Sequence, residues 1–513
     1  MNAPRLSSKA KRALLVDLVC IGVLISLCLF IALPRFRVGI NWADEGFLAY
    51  GAVRVLEGQM PNRDFVSLQP PLSFYVLAAA FKTFGTSLVT LRGLGLSIYL
   101  LLPLLIYGIS RHLMSGAIAF TAALPAAVLG IPYFNFVPFA VWQGITITLG
   151  AVLLYLNATL KGRPWLAGAA GVLTSMSILA RHDQGVYLAL SIVVLSIALS
   201  RSGTRVKLAF RAWAIGAIVT ALLFLVFAGL RGALPEMFRQ LVLFPLHSYA
   251  KTSSLPFPQN SFQLSLSQNA TILLFFAAPV AFVLGTSFLI WRIVRNGFDL
   301  SEALLSFLLA WAILSYAQVL TRSDLEHLLI TLPPLFILFG YGLNLVRHHF
   351  ADVKLVNMSI LSCAAILGFT FLWIIRPVVL PNVKTQTQSL AFARGGVRIE
   401  DGDWLTEFVR GVQKNVPADR AILAFPYQPM FYFLCERRNP TRWNYLWPGD
   451  QSEAEHAALI EQAESDPPAV IFLTDESDMS IYAPSIVEYA HRDYHRVGDF
   501  GPLNVYFPNS PAR

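Results

Sequence analysis

Long apolar runs recur along this chain, and a run of about 20 residues with few charges is what a helix needs to cross the hydrocarbon core of a bilayer. Eleven such segments are legible, at 14–34, 88–110, 114–131, 138–160, 164–180, 184–200, 208–230, 269–291, 301–319, 325–345 and 355–376. A polytopic α-helical membrane protein is expected. Only 13% of the 513 residues are charged, against about 25% in soluble domains. The net charge of +9 does not point to nucleic acid, because Lys and Arg sit in short clusters between apolar runs and form no basic stripe with interleaved aromatics. The four cysteines give neither a disulfide framework nor a CxxC site. Lys9, Lys11 and Arg12 precede the first run as in a signal peptide, but that run is too long and lacks a small-residue cleavage site, so it is expected to remain as an anchor.

The same basic clusters orient the helices. With the N-terminus inside, the cytoplasmic turns receive Arg111-His112, Lys161 and Arg163, Arg201 through Arg211, Arg292 and Arg295, then Arg347 and Lys354, as the positive-inside rule requires. The apolar stretch from Pro71 to Phe84 is too short to span. Counting it as a span would turn every basic cluster outward, so it is read as interfacial. The outer face then receives the first loop, 35–87, with two short amphipathic helices, the junctions at Arg181 to Asp183 and Thr321 to His327, the loop 232–268, and everything after about 378.

Beyond 378 charge rises and apolar runs shorten to strand length. Helices are expected at Asp403–Asn415, Glu453–Glu464 and Ser485–Tyr494, and strands at Ala421–Phe425, Val470–Thr474 and Asn504–Phe507. Alternation of this kind predicts an extracytoplasmic α/β domain over 378–513, after a transmembrane domain over 1–377.

Three polar clusters fall on the outer side. Asp44 and Glu45 follow the first span, and adjacent carboxylates beside a bilayer are costly without a purpose. They could cap the helix that starts there, or one of them could take a proton from an acceptor hydroxyl as general base; Asp44 is the expected base. Arg181-His182-Asp183 is either a solvated turn with a local ion pair or a site for phosphate and sugar hydroxyls. Arg322, Asp324 and His327 are either a capped helix end or a cation, an acid and an imidazole grouped at one depth. The aromatic loop with Trp443, Tyr445 and Trp447 either binds sugar or packs on the membrane domain.

The order Asp44-Glu45, amphipathic helix, Pro70-Pro71-aromatic resembles the first extracytoplasmic loop of the GT-C glycosyltransferases related to protein O-mannosyltransferases and lipid A aminoarabinose transferases. The resemblance covers most of the chain. It implies a GT-C fold with about eleven spanning helices, a polyprenyl-phosphate sugar donor, inversion at the anomeric carbon, and an essential acid after the first helix, here Asp44 with Glu45. Arg92 matches the arginine heading the next span, and Arg322-x-Asp324-x-x-His327 is similar to a pattern in bacterial relatives. The chain departs at Gln69, where aminoarabinose transferases have a lysine touching the lipid phosphate. The resemblance implies no metal or other cofactor.

The resulting expectation is a multi-pass inner-membrane glycosyltransferase with Arg181, Asp183, Arg322, Asp324, His327 and Arg92 on the donor and Asp64, Tyr75, Trp443 and Tyr445 toward an acceptor lipid, glycan or protein. The rivals are a polyprenyl-lipid transporter or flippase, which would bury charges deep in several spans, and a polysaccharide polymerase or ligase, which would carry a large basic outer loop.

Overall fold

A computed structural model describes residues 7–128, 136–199, 204–249, 254–258, 266–349, 387–390, 392, 394–400 and 402–509. The segment expected to span at 355–376 and the domain boundary at 377/378 lie outside these residues. The membrane part comprises α1 (Ser8–Ala32), α2 (Asp44–Leu56), α3 (Leu72–Phe84), α4 (Leu88–Leu113), α5 (Gly116–Val128), α6 (Ala140–Lys161), α7 (Pro164–Ala180), α8 (His182–Ala198), α9 (Thr204–Leu230), the short α10 (Leu234–Phe238) continued by two π-helical turns, α11 (Leu266–Asn296), α12 (Leu300–Thr321), α13 (Leu325–Leu329) and α14 (Leu332–His349). Among the described residues six helices are long and apolar enough to cross a membrane, and four further expected spans are shorter apolar helices.

One expectation is corrected. The segment 325–345 is not one helix: α13 stops at Leu329 and α14 begins at Leu332. Pro333 and Pro334 lack an N–H, and each ring disfavours the helical conformation in the residue before it, so the chain restarts with both prolines in the first turn of α14.

Small residues set how closely the bundle closes. A Cβ at Gly171 of α7 would lie 2.0 Å from Trp213 O of α9, and one at Gly216 would lie 2.1 Å from Gly168 O. Backbone meets backbone there, the contact that holds helices together where lipid removes any hydrophobic drive. Short connections put the turns α4–α5, α6–α7, α8–α9 and α11–α12 at one end of the bundle, with Arg111, Lys161, Arg163, Arg205, Arg292 and Arg295. The other end receives the start of α2, the head of α4, the α7–α8 turn and the α12–α13 turn.

The C-terminal lobe lies at that second end. Its helices are α15 (Gly402–Asn415), α16 (Pro429–Cys435), α17 (Glu453–Ser465), α18 (Glu476–Tyr482) and α19 (Pro484–Asp493), and its strands β1 (Thr387–Ser389), β2 (Arg398–Glu400), β3 (Leu423–Phe425), β4 (Ile471–Leu473), β5 (Tyr494–Phe500) and β6 (Leu503–Pro508). A four-stranded sheet has the order β3-β4-β6-β5, with β3 and β4 parallel. Both of those strands are wholly buried, which is why they read as continuous apolar runs. In α15, Leu405, Phe408, Val409 and Val412 are buried, the helical spacing of one inward face.

The lobe and the first loop share one hydrophobic core. Every residue of α2 from Glu45 to Arg54 is buried, so this helix is enclosed by protein. Trp42 stacks on Phe431 at 5.3 Å and Tyr50 lies 5.0 Å from Tyr432. A Cβ at Gly46 would sit 2.3 Å from Met430 N, so glycine there lets α16 lie directly on α2. Strand β2 joins the membrane part through Gly39 N to Arg398 O, 2.8 Å, and Arg398 N to Arg37 O, 2.7 Å.

Candidate active site

Asp44 and Glu45 are neighbours in sequence and face different surroundings, because one step along a helix turns the side chain by about 100°. Glu45 turns inward to Arg92 near the head of α4, Oε1 to Nε 2.8 Å and Oε2 to Nη2 2.9 Å. Arg92 also donates to the carbonyls of Phe36, Val38 and Gly39. All five guanidinium N–H groups are thereby spent, and both side chains are 0% exposed. Arg92, expected at the donor phosphate, has no N–H left for one, and Glu45, expected beside the base, faces no open space. The pair ties the chain leaving α1 to the head of α4.

Asp44 turns outward, exposed but hemmed in by protein. Its N–H donates to Asn41 Oδ1 at 2.9 Å, and Asn41 Nδ2 donates to its Oδ2 at 3.3 Å. Burial pushes its carboxyl above the ordinary aspartate range, against the opposing pull of Asn41 and of the positive charge of Arg322. Arg322 lies 278 positions further along the chain.

Arg322 follows the last turn of α12, and Asp324 caps α13. Arg322 Nε donates to Asp324 Oδ2 at 2.7 Å, while Asp324 Oδ1 accepts the backbone N–H of His327 at 2.8 Å and lies 2.7 Å from its Nδ1. Burial works to raise the Asp324 carboxyl, but the hydrogen bonds from His327 and Arg322 outweigh it and hold it well below the usual range. Glu326 shares this space: burial, with the charges of Asp324 and Asp44, raises its carboxyl. Leu255, from the segment after α9, closes one side by accepting the N–H of Ser323 at 3.2 Å.

Gln318 of α12 joins the turn between α7 and α8 to this end of the bundle. Arg181 Nε meets both oxygens of Asp183, at 3.0 and 3.2 Å. Gln318 of α12 bridges the pair, its amide nitrogen 3.1 Å from Asp183 Oδ2 and its oxygen 2.6 Å from Arg181 Nη2. Gln318 precedes Arg322 by one helical turn, so the second and third clusters lie along one face of α12.

No protein-family profile matches the chain, and no curated protein matches it in sequence. Solved structures do. The oligosaccharyltransferase of Archaeoglobus fulgidus in its apo form is 12% identical with a TM-score of 0.58, over 96% of this chain and 74% of that one. ArnT from Cupriavidus metallidurans bound to undecaprenyl phosphate is 13% identical with a TM-score of 0.56, over 95% of this chain and 97% of that one. Both are GT-C membrane proteins. This chain has the GT-C fold.

The remaining expected residues occupy other parts of this GT-C chain. Asp64 is bound within its own turn, by an ion pair with Arg63 at 2.7 Å and by the N–H of Met60 at 2.6 Å. Tyr75 is partly buried on α3, where burial raises its hydroxyl against the charges of Arg231 and Arg63. Trp443 is 3% exposed in the core of the lobe, and Tyr445 sets its ring edge-on to Phe47 of α2 at 5.2 Å. Among the described residues no group of three or more His, Cys, Asp or Glu is placed to hold a metal ion. Gln318 and Glu326 were not singled out in sequence. The only signal for Gln318 is a polar residue late in an apolar run, where it must find a partner, and nothing local shows that Glu326 comes near Asp44.

Proposed function

We propose that this GT-C chain is a glycosyltransferase that moves a monosaccharide from a polyprenyl-phosphate donor to a hydroxyl acceptor. The observation that carries the reading is the convergence on one end of the bundle of an outward-facing acid, Asp44, with the Arg322–Asp324–His327 group and, joined through Gln318 of α12, the Arg181–Asp183 pair of the α7–α8 turn. The solved neighbours support the donor class: one was determined with dolichol phosphate and an inhibitory peptide, another with undecaprenyl phosphate.

In this reading the acceptor oxygen attacks the anomeric carbon, the bond from that carbon to the phosphate oxygen breaks, and the acceptor proton passes to Asp44 Oδ. A single displacement inverts the anomeric centre. The lipid phosphate leaves with one more negative charge than it carried as a diester, and Arg322 and Arg181 lie where that charge is stabilised in a site of low dielectric. Glu45 and Arg92 hold Asp44 in position. Basic residues at the opposite end of the bundle support placing that end in the cytoplasm and the site, the first loop and the C-terminal lobe outside the inner membrane.

The test is transfer of labelled sugar from a panel of synthetic polyprenyl-phosphate monosaccharides to membrane extracts by the purified chain. Asp44→Asn is expected to lower transfer by about 10²- to 10⁴-fold while donor lipid still binds. Full activity of Asp44→Asn overturns the base assignment. Donor binding without consumption by the wild-type chain favours a lipid carrier.

A further inference from the structure

A recess of about 450 Å³ opens between the end of α2, the turn that follows it, and the lobe residues Arg438 to Arg442 with Gln462. It lies about 15 Å along α2 from Asp44, ten residues at 1.5 Å each, and it takes no part in the chemistry above. Its lining holds Arg54, Arg63, Arg438 and Arg442 against two carboxylates, Glu57 and Asp64. Three of these arginines have a carboxylate in contact: Arg63 holds Asp64, Arg438 is tied to Asp466, and Arg442 reaches Glu236 at 3.0 Å.

Arg54 is the exception. It is 5% exposed, and its hydrogen bonds all go to neutral acceptors: Gln59 Oε1, Thr441 O, Asn444 Oδ1 and Asp64 O. Those bonds occupy four of its five N–H groups. The ring faces of Phe65 and Tyr50, with centroids 4.9 and 5.9 Å from the guanidinium carbon, offset part of the cost of burying it, and an anion in the recess would offset more. Arg442 grips the same turn, its Nη2 3.5 Å from Arg63 O, and its Nε is buried without a hydrogen-bond partner among the described residues. One Nη2 N–H of Arg54 and the Nε–H of Arg442 therefore stand without a hydrogen-bond partner among the described residues, on two cations that line one cavity.

Volume and lining narrow the ligand. A cavity of 450 Å³ falls in the range of small-molecule sites and exceeds what a bare anion fills. Pro440 is the single apolar residue in the lining, so a peptide would find no side-chain anchor, whereas Gln59 and Gln462 bring amides suited to hydroxyl groups. We propose that this recess binds an anionic saccharide, its acid group meeting Arg54 and Arg442 and its hydroxyls meeting the amides. Guanidinium forks fit both carboxylate and phosphate, so a uronic acid and a sugar phosphate share the required chemistry.

The experiment is a binding titration on the full chain in lipid nanodiscs, without donor, using trigalacturonate, glucose 1-phosphate and neutral maltotriose. Saturable binding of at least one acidic probe, at least tenfold tighter than maltotriose, is expected, and which acid binds identifies the group. Arg442→Gln should weaken it about tenfold, as loss of a charged hydrogen bond does. Glu57→Gln should tighten it, because it removes a like charge from the lining, and Arg496→Gln, exposed on β5 and outside the lining, should leave it unchanged. Failure of both acidic probes to bind, equal binding of maltotriose, or weakening by Glu57→Gln overturns the proposal. None of these results depends on sugar transfer, so the two readings fail separately.

Discussion

Arg92–Glu45 and Arg322–Asp324 are chemically the same pair, set at the same end of the same bundle, and they differ in what surrounds them. The first is sealed, both side chains 0% exposed and every guanidinium N–H committed. The second keeps 29% and 22% exposure and shares its carboxylate with His327. A sealed pair can only hold its elements together, since any exchange of partner would strand a buried charge. An open pair can trade part of its hydrogen bonding for an incoming phosphate. Under the proposed function, the difference between a scaffold pair and a site pair is therefore solvent access, with an arginine and a carboxylate in both.

The contrast breaks most visibly at the sealed pair. Arg92→Met should cost about 3–5 kcal/mol, because it leaves Glu45 buried and unpaired; thermal unfolding of the detergent-solubilised chain measures it, and a second change, Glu45→Leu, should recover much of the loss. At the open pair the effect should fall on catalysis. Arg322→Gln should reduce transfer by about 10- to 100-fold, the loss of a charged hydrogen bond of roughly 1.5–3 kcal/mol, with the unfolding transition little moved; equal loss of stability in both variants would erase the distinction.

The smallest effect is in pH. A base must be ionised, and Asp44 gains its proton at higher pH than an ordinary aspartate because burial raises it. The acid limb of kcat/KM should accordingly lie above the usual aspartate value of about 3.9, with activity lost as pH falls through it. Arg322 pulls that carboxyl down, so in Arg322→Gln the residual activity should show its acid limb at still higher pH. A pH profile of the two chains decides this.

Much of this was legible in sequence and some was not, for identifiable reasons. Apolar runs located the membrane helices because length against bilayer thickness is nearly sufficient information, and basic turns at one end implied that Asp44, Asp183 and Asp324 share the other. The break at Leu329 was present in Pro333-Pro334 and was overridden by the apolar run around it. The segment Pro429–Cys435 gives no helical signal of its own: it is seven residues, buried throughout, and takes its conformation from α2 beneath it. Partner choice was out of reach. Glu45 finds Arg92 47 residues on, Gln318 finds Arg181 across two helices, and no local pattern distinguishes the acid that turns inward from the one that turns out.

The shared core of first loop and lobe also fixes an order of events in synthesis. Tyr50 and Asn439, which meet through the Tyr50 hydroxyl, are 389 residues apart, so at about 5–20 residues per second a ribosome needs roughly 20 to 80 seconds to produce the second after the first. Throughout that interval α2, with its aromatic and charged side chains, is without the cover that the lobe supplies. The acid at its head is made before the lobe that covers its helix, so a chain cut short of the lobe would leave the buried face of α2 uncovered.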